Sequence, residues 1–397
     1  MSSSNKLYAM EVLSDPVIVT NFEKDVFNMI GIFSKTTILD LKADNGLNLL
    51  RNDILTTGSG TVVNNIGDPE YTLNVLSPND SCSLKSNERG VYCAGKTAEI
   101  GIAIRIPYPL QGSQTFKWGY YSATDGVYFL KTSTQFFVCI MRNGIEIKFE
   151  QAMFNRDRMD GTTGSYKNLN FSDGNIFRIN FSWYGYGSIQ FSALGIDSSS
   201  SQKMLPMHVY QTIGQTSTTH PCLPLSVNLD YGSTISSPIT VHVAGRQFSI
   251  LGSYEPMYRL NGINTLNVVC PINTFRPIMS IQKHNINQLN TRTLLSDLTI
   301  KTTKDTFIEI RSKTTLTNSS FTTILNAETI IEYDTTADTV SSGILLWCDI
   351  IPENTHTKIH FENINIDITQ VTICGKSLHI TDSSTINYIH LNWKSTW

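Results

Sequence analysis

Phe177-Arg-Ile-Asn-Phe-Ser-Trp183 places a large apolar side chain at every odd position and a polar one at every even position. Successive side chains of a strand point to opposite faces, so a two-residue period predicts a strand with one buried face. A helix would need apolar positions three or four apart. The same alternation runs through Ile100, Ile102, Ile104 and Ile106 until Pro107, which has no N–H to give to a ladder. Residues 135–141 and 145–150 flank Arg142-Asn143-Gly144. Asn-Gly predicts a tight hairpin there, because both central turn residues need positive φ. Tyr184-Gly-Tyr-Gly187 reads as an aromatic turn, and residues 188–192 alternate again.

Several short strands at this spacing, with Gly and Asn turns and no intervening helix, predict antiparallel sandwiches of jelly-roll or lectin-like type. At 397 residues the chain exceeds what one core organises. Its expected divisions are an N-terminal arm at 1–50, a first sandwich with its linker at 51–255, and a C-terminal sandwich at 256–397. Ser198–Ser201 reads as a loop or linker, and strand-like segments such as 306–311, 344–351 and 386–393 fill the last third. Only residues 21–33 carry a helical period. Phe22, Val26, Phe27 and Ile30 fall on one face there, as an assembly arm would require.

Charged residues make up 16% of the chain and the formal charge is −3. No diffuse basic field is available to neutralise nucleic-acid phosphates. No run of about 18 uncharged apolar residues occurs, so no membrane-spanning helix is expected. The seven cysteines show no paired spacing and read as reduced thiols; Cys82 and Cys93, which flank a turn-rich segment, are the one pair with a disulfide alternative.

Gly90-Val-Tyr-Cys-Ala-Gly95-Lys96-Thr97 matches the phosphate-loop pattern. That chemistry needs a buried strand before the loop and a helix after it. Here a polar turn precedes and an alternating strand follows, so a sandwich turn is the better reading. Asp157, Asp160 and Asp173 lie among glycines, which turn chemistry explains without calcium. His356 and His360 are four apart, but on a strand that is about 13 Å, too far to share a metal. No nucleophile elbow, zinc-helix signature or dinucleotide fingerprint occurs, so no enzyme activity, cofactor or metal is expected. Exposed aromatic rings can stack on sugars or anchor an interface, and Trp118, Tyr184 and Tyr186 are the candidates for such contacts.

Three stretches, taken in order, resemble a family of β-rich virion structural proteins found in tailed bacteriophages and large DNA viruses. They are residues 87–101, then Trp118-Gly-Tyr-Tyr with Asp125-Gly-Val-Tyr-Phe, then Met159-Asp-Gly-Thr through Gly187. Residues 371–378 and 389–397 resemble the same group's terminal strands. The resemblance covers about half the chain and implies a minor capsid, decorating, vertex or fibre subunit. Such a subunit is made in the host cytoplasm, resides in the virion, and partners the major capsid protein, other virion proteins or its own copies. The alternative expectation is a lectin-like adhesin for a host glycan.

Overall fold

The computed structural model describes residues 35–44, 46–65, 67–93, 95–162, 168–182, 186–196, 202–255, 258–283, 293–323, 331–361 and 369–396. Among them the only helical element is a single 3-10 turn at Gln151–Met153; the rest is strand and loop. Among the described residues every strand-to-strand ladder is antiparallel, with one isolated parallel bridge between Lys35 and Gly252.

In the first sandwich one sheet runs β13 (Gln202–Tyr210), β12 (Ile189–Ile196), β11 (Asn175–Phe181), β6 (Ala98–Arg105), β15 (Ile239–Leu251), β4 (Tyr71–Val75) and β3 (Thr61–Val63), with β1 (Lys35–Leu41) also pairing β15. The facing sheet runs β10 (Ile145–Glu150), β9 (Phe136–Arg142), β8 (Gly126–Thr132), β7 (Thr115–Tyr121), β14 (Pro224–Asp230), β5 (Ser81–Arg89) and β2 (Asn52–Thr57).

The second sandwich packs β16 (Tyr258–Cys270), β27 (Ser384–Thr396), β18 (Thr293–Thr302) and β25 (His356–His360) against a six-stranded sheet. That sheet runs β21 (Thr322–Thr323), β22 (Ile331–Asp334), β17 (Arg276–Lys283), β26 (Gln370–Ser377), β19 (Thr306–Ser312) and β24 (Ile344–Ile351). A two-stranded ribbon, β20 (Thr315–Thr317) with β23 (Thr339–Ser341), flanks it.

The alternating stretches do what their period dictates. Phe177, Ile179 and Phe181 of β11 are buried and register against Ile102, Ile100 and Ala98 of β6. Asn143 and Gly144 take φ of 48° and 78°, the two positive values a two-residue hairpin requires, and Arg142 registers against Ile145. The polar face of β11 is less open than alternation predicts: Asn180 and Ser182 are buried. Glu99 there draws both Lys35 (2.7 Å) and Arg178 (3.4 Å) across the sheet.

Two main apolar cores result. One holds the inward aromatic residues of β7, β8, β9 and β11, and the other is built from Ile and Leu of β17, β18, β19, β26 and β27 around Trp393. A smaller cluster of Tyr121, Tyr128, Leu130, Phe137, Cys139 and Met141 lies on the other face of β7, β8 and β9.

The last part of the arm expected at 1–50 belongs instead to the first sandwich. Residues 35–41 form β1, registered against Arg246–Leu251 of β15, with Leu39 and Leu41 in the first core. Burial of those leucines is the sheet partner that the sequence alone does not display. The helical-period segment with Phe22, Val26, Phe27 and Ile30 lies outside the described residues, as does Ser198–Ser201. The serine run connects β12 to β13 inside one sheet, so it does not link the two sandwiches.

Candidate functional site

One end of the first sandwich gathers the connections that carry the sequence motifs. The strand order brings there the turn after β5, the β7–β8, β9–β10 and β11–β12 turns, and the segment 211–223 before β14. Asp125 locks three of them together. Its carboxylate accepts Thr219 N (2.7 Å), Thr219 Oγ1 (2.7 Å) and Asn143 N (3.4 Å). Burial works to raise its pKa, but these donors outweigh it, and the carboxyl titrates below its ordinary value. Tyr120, deep in the core, donates to Pro221 O at 2.9 Å and fixes the same segment from beneath.

A small pocket of about 10 Å³ lies at this end, lined by Val91, Tyr92, Cys93, Lys96, Phe181 and Pro221 among others. The phosphate-loop match forms one wall. Gly90 is needed for packing: a Cβ there would run into the Tyr120 hydroxyl and the Phe248 ring. The Lys96 ammonium donates to the carbonyl of Ser253, and strand β6 begins at Ala98 where a phosphate site needs a helix. Cys93, partly exposed, has its thiol pKa raised by burial, with Lys96 opposing the shift. The two wall residues hold no arrangement for cradling phosphate.

Of the three aromatic candidates, the structure brings one to this end as an exposed ring. Tyr186, on the β11–β12 turn five residues beyond Phe181, is 64% exposed. Tyr184 lies outside the described residues. Trp118 is a correction: it is fully buried, 0% exposed, and is the hub of the first core. It stacks on Phe116, Phe129 and Phe136 at 5.2, 5.6 and 6.0 Å and meets Phe177 edge-on at 5.0 Å. Alternation in Thr115–Tyr121 puts Phe116, Trp118 and Tyr120 on the inward face, a signal the sequence carried in Thr-Phe-Lys-Trp-Gly-Tyr but that an aromatic-rich turn nearby obscured.

The opposite face of the same strands holds a group that sequence reasoning missed. Lys117 Nζ sits 3.6 Å from the Tyr128 ring centroid and 4.3 Å from that of Tyr121. Tyr128 donates to Glu146, whose other oxygen meets Lys148 Nζ at 2.8 Å. Burial lowers the Lys117 pKa to about 8, with Glu146 opposing. Tyr128 and Cys139 beside it are buried completely. Lys117 stays partly exposed above these rings, and the cluster acts as a cation–π clamp across β7, β8 and β10.

The remaining motifs resolve into turns and strands. Asp157 and Asp160 accept from Met159 N (2.8 Å) and Thr162 N (2.9 Å), and Asp173 accepts from Asn170 Nδ2 at 3.0 Å. Among the described residues no group of three metal-binding side chains stands together. His356 and His360 share one face of β25, at opposite ends of the strand. The seven cysteines, Cys82 and Cys93 included, are free thiols.

No family model and no curated protein matches the chain. Solved structures resemble it over about half its length. An endo-beta-1,4-glucuronan lyase from the fungus Trichoderma reesei is 10% identical, with 55% of this chain and 96% of that one covered and a TM-score of 0.36. A glycosyl hydrolase family protein from Mycobacterium fortuitum is 11% identical, covering 54% and 99%, TM-score 0.37. A legume lectin-like domain from Entamoeba histolytica is 9% identical, covering 50% and 89%, TM-score 0.32. At such scores these likenesses bear on neither the site nor its ligand.

Proposed function

We propose that this chain is a carbohydrate-binding protein that works by recognition without turnover, with the loop end of the first sandwich as its sugar site. The observation that carries this is Tyr186, a large ring held 64% exposed at this loop end of the sandwich. A pyranose offers an apolar face of C–H groups and a rim of hydroxyls. Tyr186 supplies a stacking plane for the apolar face, and the hydroxyl rim is left to polar groups of the surrounding turns. The clamp of Asp125 on Thr219 and Asn143 holds the flanking turns in place before a ligand arrives, which lowers the ordering cost of binding.

The test is binding to a glycan array followed by titration of the best ligand. Tyr186→Ala is expected to weaken binding about tenfold, the scale of one aromatic contact, with an unchanged melting temperature. Unaltered affinity in that variant would remove the reading.

A virion subunit that joins copies or binds a major capsid protein is the second reading, and β24 favours it. This strand closes one edge of the six-stranded sheet with Leu345 and Ile350 51% and 50% exposed. Exposed apolar edges template pairing with another chain. Light scattering on the whole chain and on one lacking residues 1–34 tests it. The deletion stops before Lys35 because β1 belongs to the sandwich. A monomer in both cases, with no affinity for virion proteins, would sink it.

A further inference from the structure

We propose that the outer face of the four-stranded sheet in the second sandwich binds an anionic polysaccharide, at a site separate from the sugar site of the first sandwich. Residues directly opposite each other in an antiparallel ladder share a face, so the registers define what this face presents. One row joins Leu266, Tyr388, Lys301 and His356. The next joins Asn264, His390, Thr299 and Lys358, and a third joins Gly262, Asn392, Asp297 and His360. Lys394, between Leu260 and Leu294, ends the array.

Among the described residues, three lysines and three histidines thus stand on one sheet face with a single carboxylate. That carboxylate is engaged: Asp297 accepts Asn392 Nδ2 at 2.9 Å and lies 3.9 Å from Lys358 Nζ. Among the described residues no acidic group pairs with Lys301 or Lys394. With Asp297 opposite Lys358, the unopposed charge is that of Lys301 and Lys394, a local positive excess in a chain whose formal total is −3. Such a face attracts a polyanion by displacing its counterions.

The groups between the cations select the class of polyanion. Adjacent strands lie about 4.8 Å apart and same-face neighbours about 6.8 Å apart, so Lys301 and Lys358 stand within about 8 Å of each other and the row of cations extends about 20 Å. Asn264, Thr299 and Asn392 fill the intervals with amide and hydroxyl groups suited to sugar hydroxyls. Gly262 keeps the surface low where the Asn392 and His390 side chains lean across it. Nucleic-acid readers on sheets stack several bases on several aromatic rings. This face has one, Tyr388, whose ring already lies parallel to His390 at 6.3 Å.

The experiment compares dextran sulfate, unsubstituted dextran and a single-stranded oligodeoxynucleotide of equal charge, across salt concentrations from about 0.05 to 0.5 M. Dextran sulfate is expected to bind with log affinity falling linearly in log salt, and dextran not to bind at this face. Replacing Lys301, Lys358 and Lys394 together by Gln should weaken dextran sulfate at least tenfold and flatten the salt slope, with melting unchanged. Tyr186→Ala should leave it intact, so loss of the first-sandwich reading does not decide this one. Unchanged dextran sulfate binding in the triple variant overturns the proposal. So does equal or tighter oligonucleotide binding with the same lysine dependence, which would assign the face to nucleic acid.

Discussion

Replacing Trp118 by Ala distinguishes a core hub from a ligand contact. The indole is fully buried, within 5.0 to 6.3 Å of five phenylalanine rings. Truncating a buried Trp to Ala costs about 3–5 kcal/mol through lost transfer energy and the cavity left behind. Each aromatic pair adds about 0.5–1.5 kcal/mol beyond area, which places this site near the upper end, about 4–5 kcal/mol. For a unit of this size that is a fall in melting temperature of about 10–15 °C. Trp118→Phe keeps the stacking and leaves the smaller gap, so about 1–2 kcal/mol is expected. The indole Nε1 meets no acceptor among the described residues, so Phe forfeits no hydrogen bond there. Hydrogen exchange in increasing denaturant, read separately on β7–β9 and on β17–β19, should show the loss in the first sandwich alone. If Trp118→Ala leaves that protection within about 1 kcal/mol of the parent while glycan binding disappears, the core assignment is wrong and Trp118 is a contact residue.

Gly90→Ala tests what the phosphate-loop match is for. Its new methyl group meets Tyr120 and Phe248, and overpacking of this kind costs about 1–3 kcal/mol; a variant as stable as the parent, with nucleotide-dependent stabilisation lost, would reverse that reading. Asp80 reports on acid stability. It accepts from Ser59 Oγ, Ser59 N (3.0 Å), Ser77 N (2.8 Å) and Leu76 N (3.2 Å), and the Ser59 hydroxyl leads in pulling its pKa down to about 2. A carboxyl depressed by folding contributes stability above its unfolded value, lost as pH falls from about 4 through about 2. Asp80→Asn should lower stability at neutral pH and flatten that acid limb in a urea titration against pH; an unchanged limb refutes the assignment.

The two-residue period in Phe177–Phe181 and Ile100–Ile104 determined strands, and Asn143-Gly144 determined a hairpin, because these depend on local sterics and on which face meets water. The same local logic showed that Lys96 lacked the following helix a phosphate site needs. Tertiary structure alone decided the rest. It paired β1 with β15 across more than two hundred residues, a pairing that no local pattern encodes. It sent Trp118 inward and left Tyr186 outward, although both sit in aromatic-rich sequence. It also set Lys301, Lys358 and Lys394 on one face although they come from three different strands. Ladder register is fixed only when the two sheets close over a shared core, and until then the spacing of charges along the chain says nothing of their spacing in space.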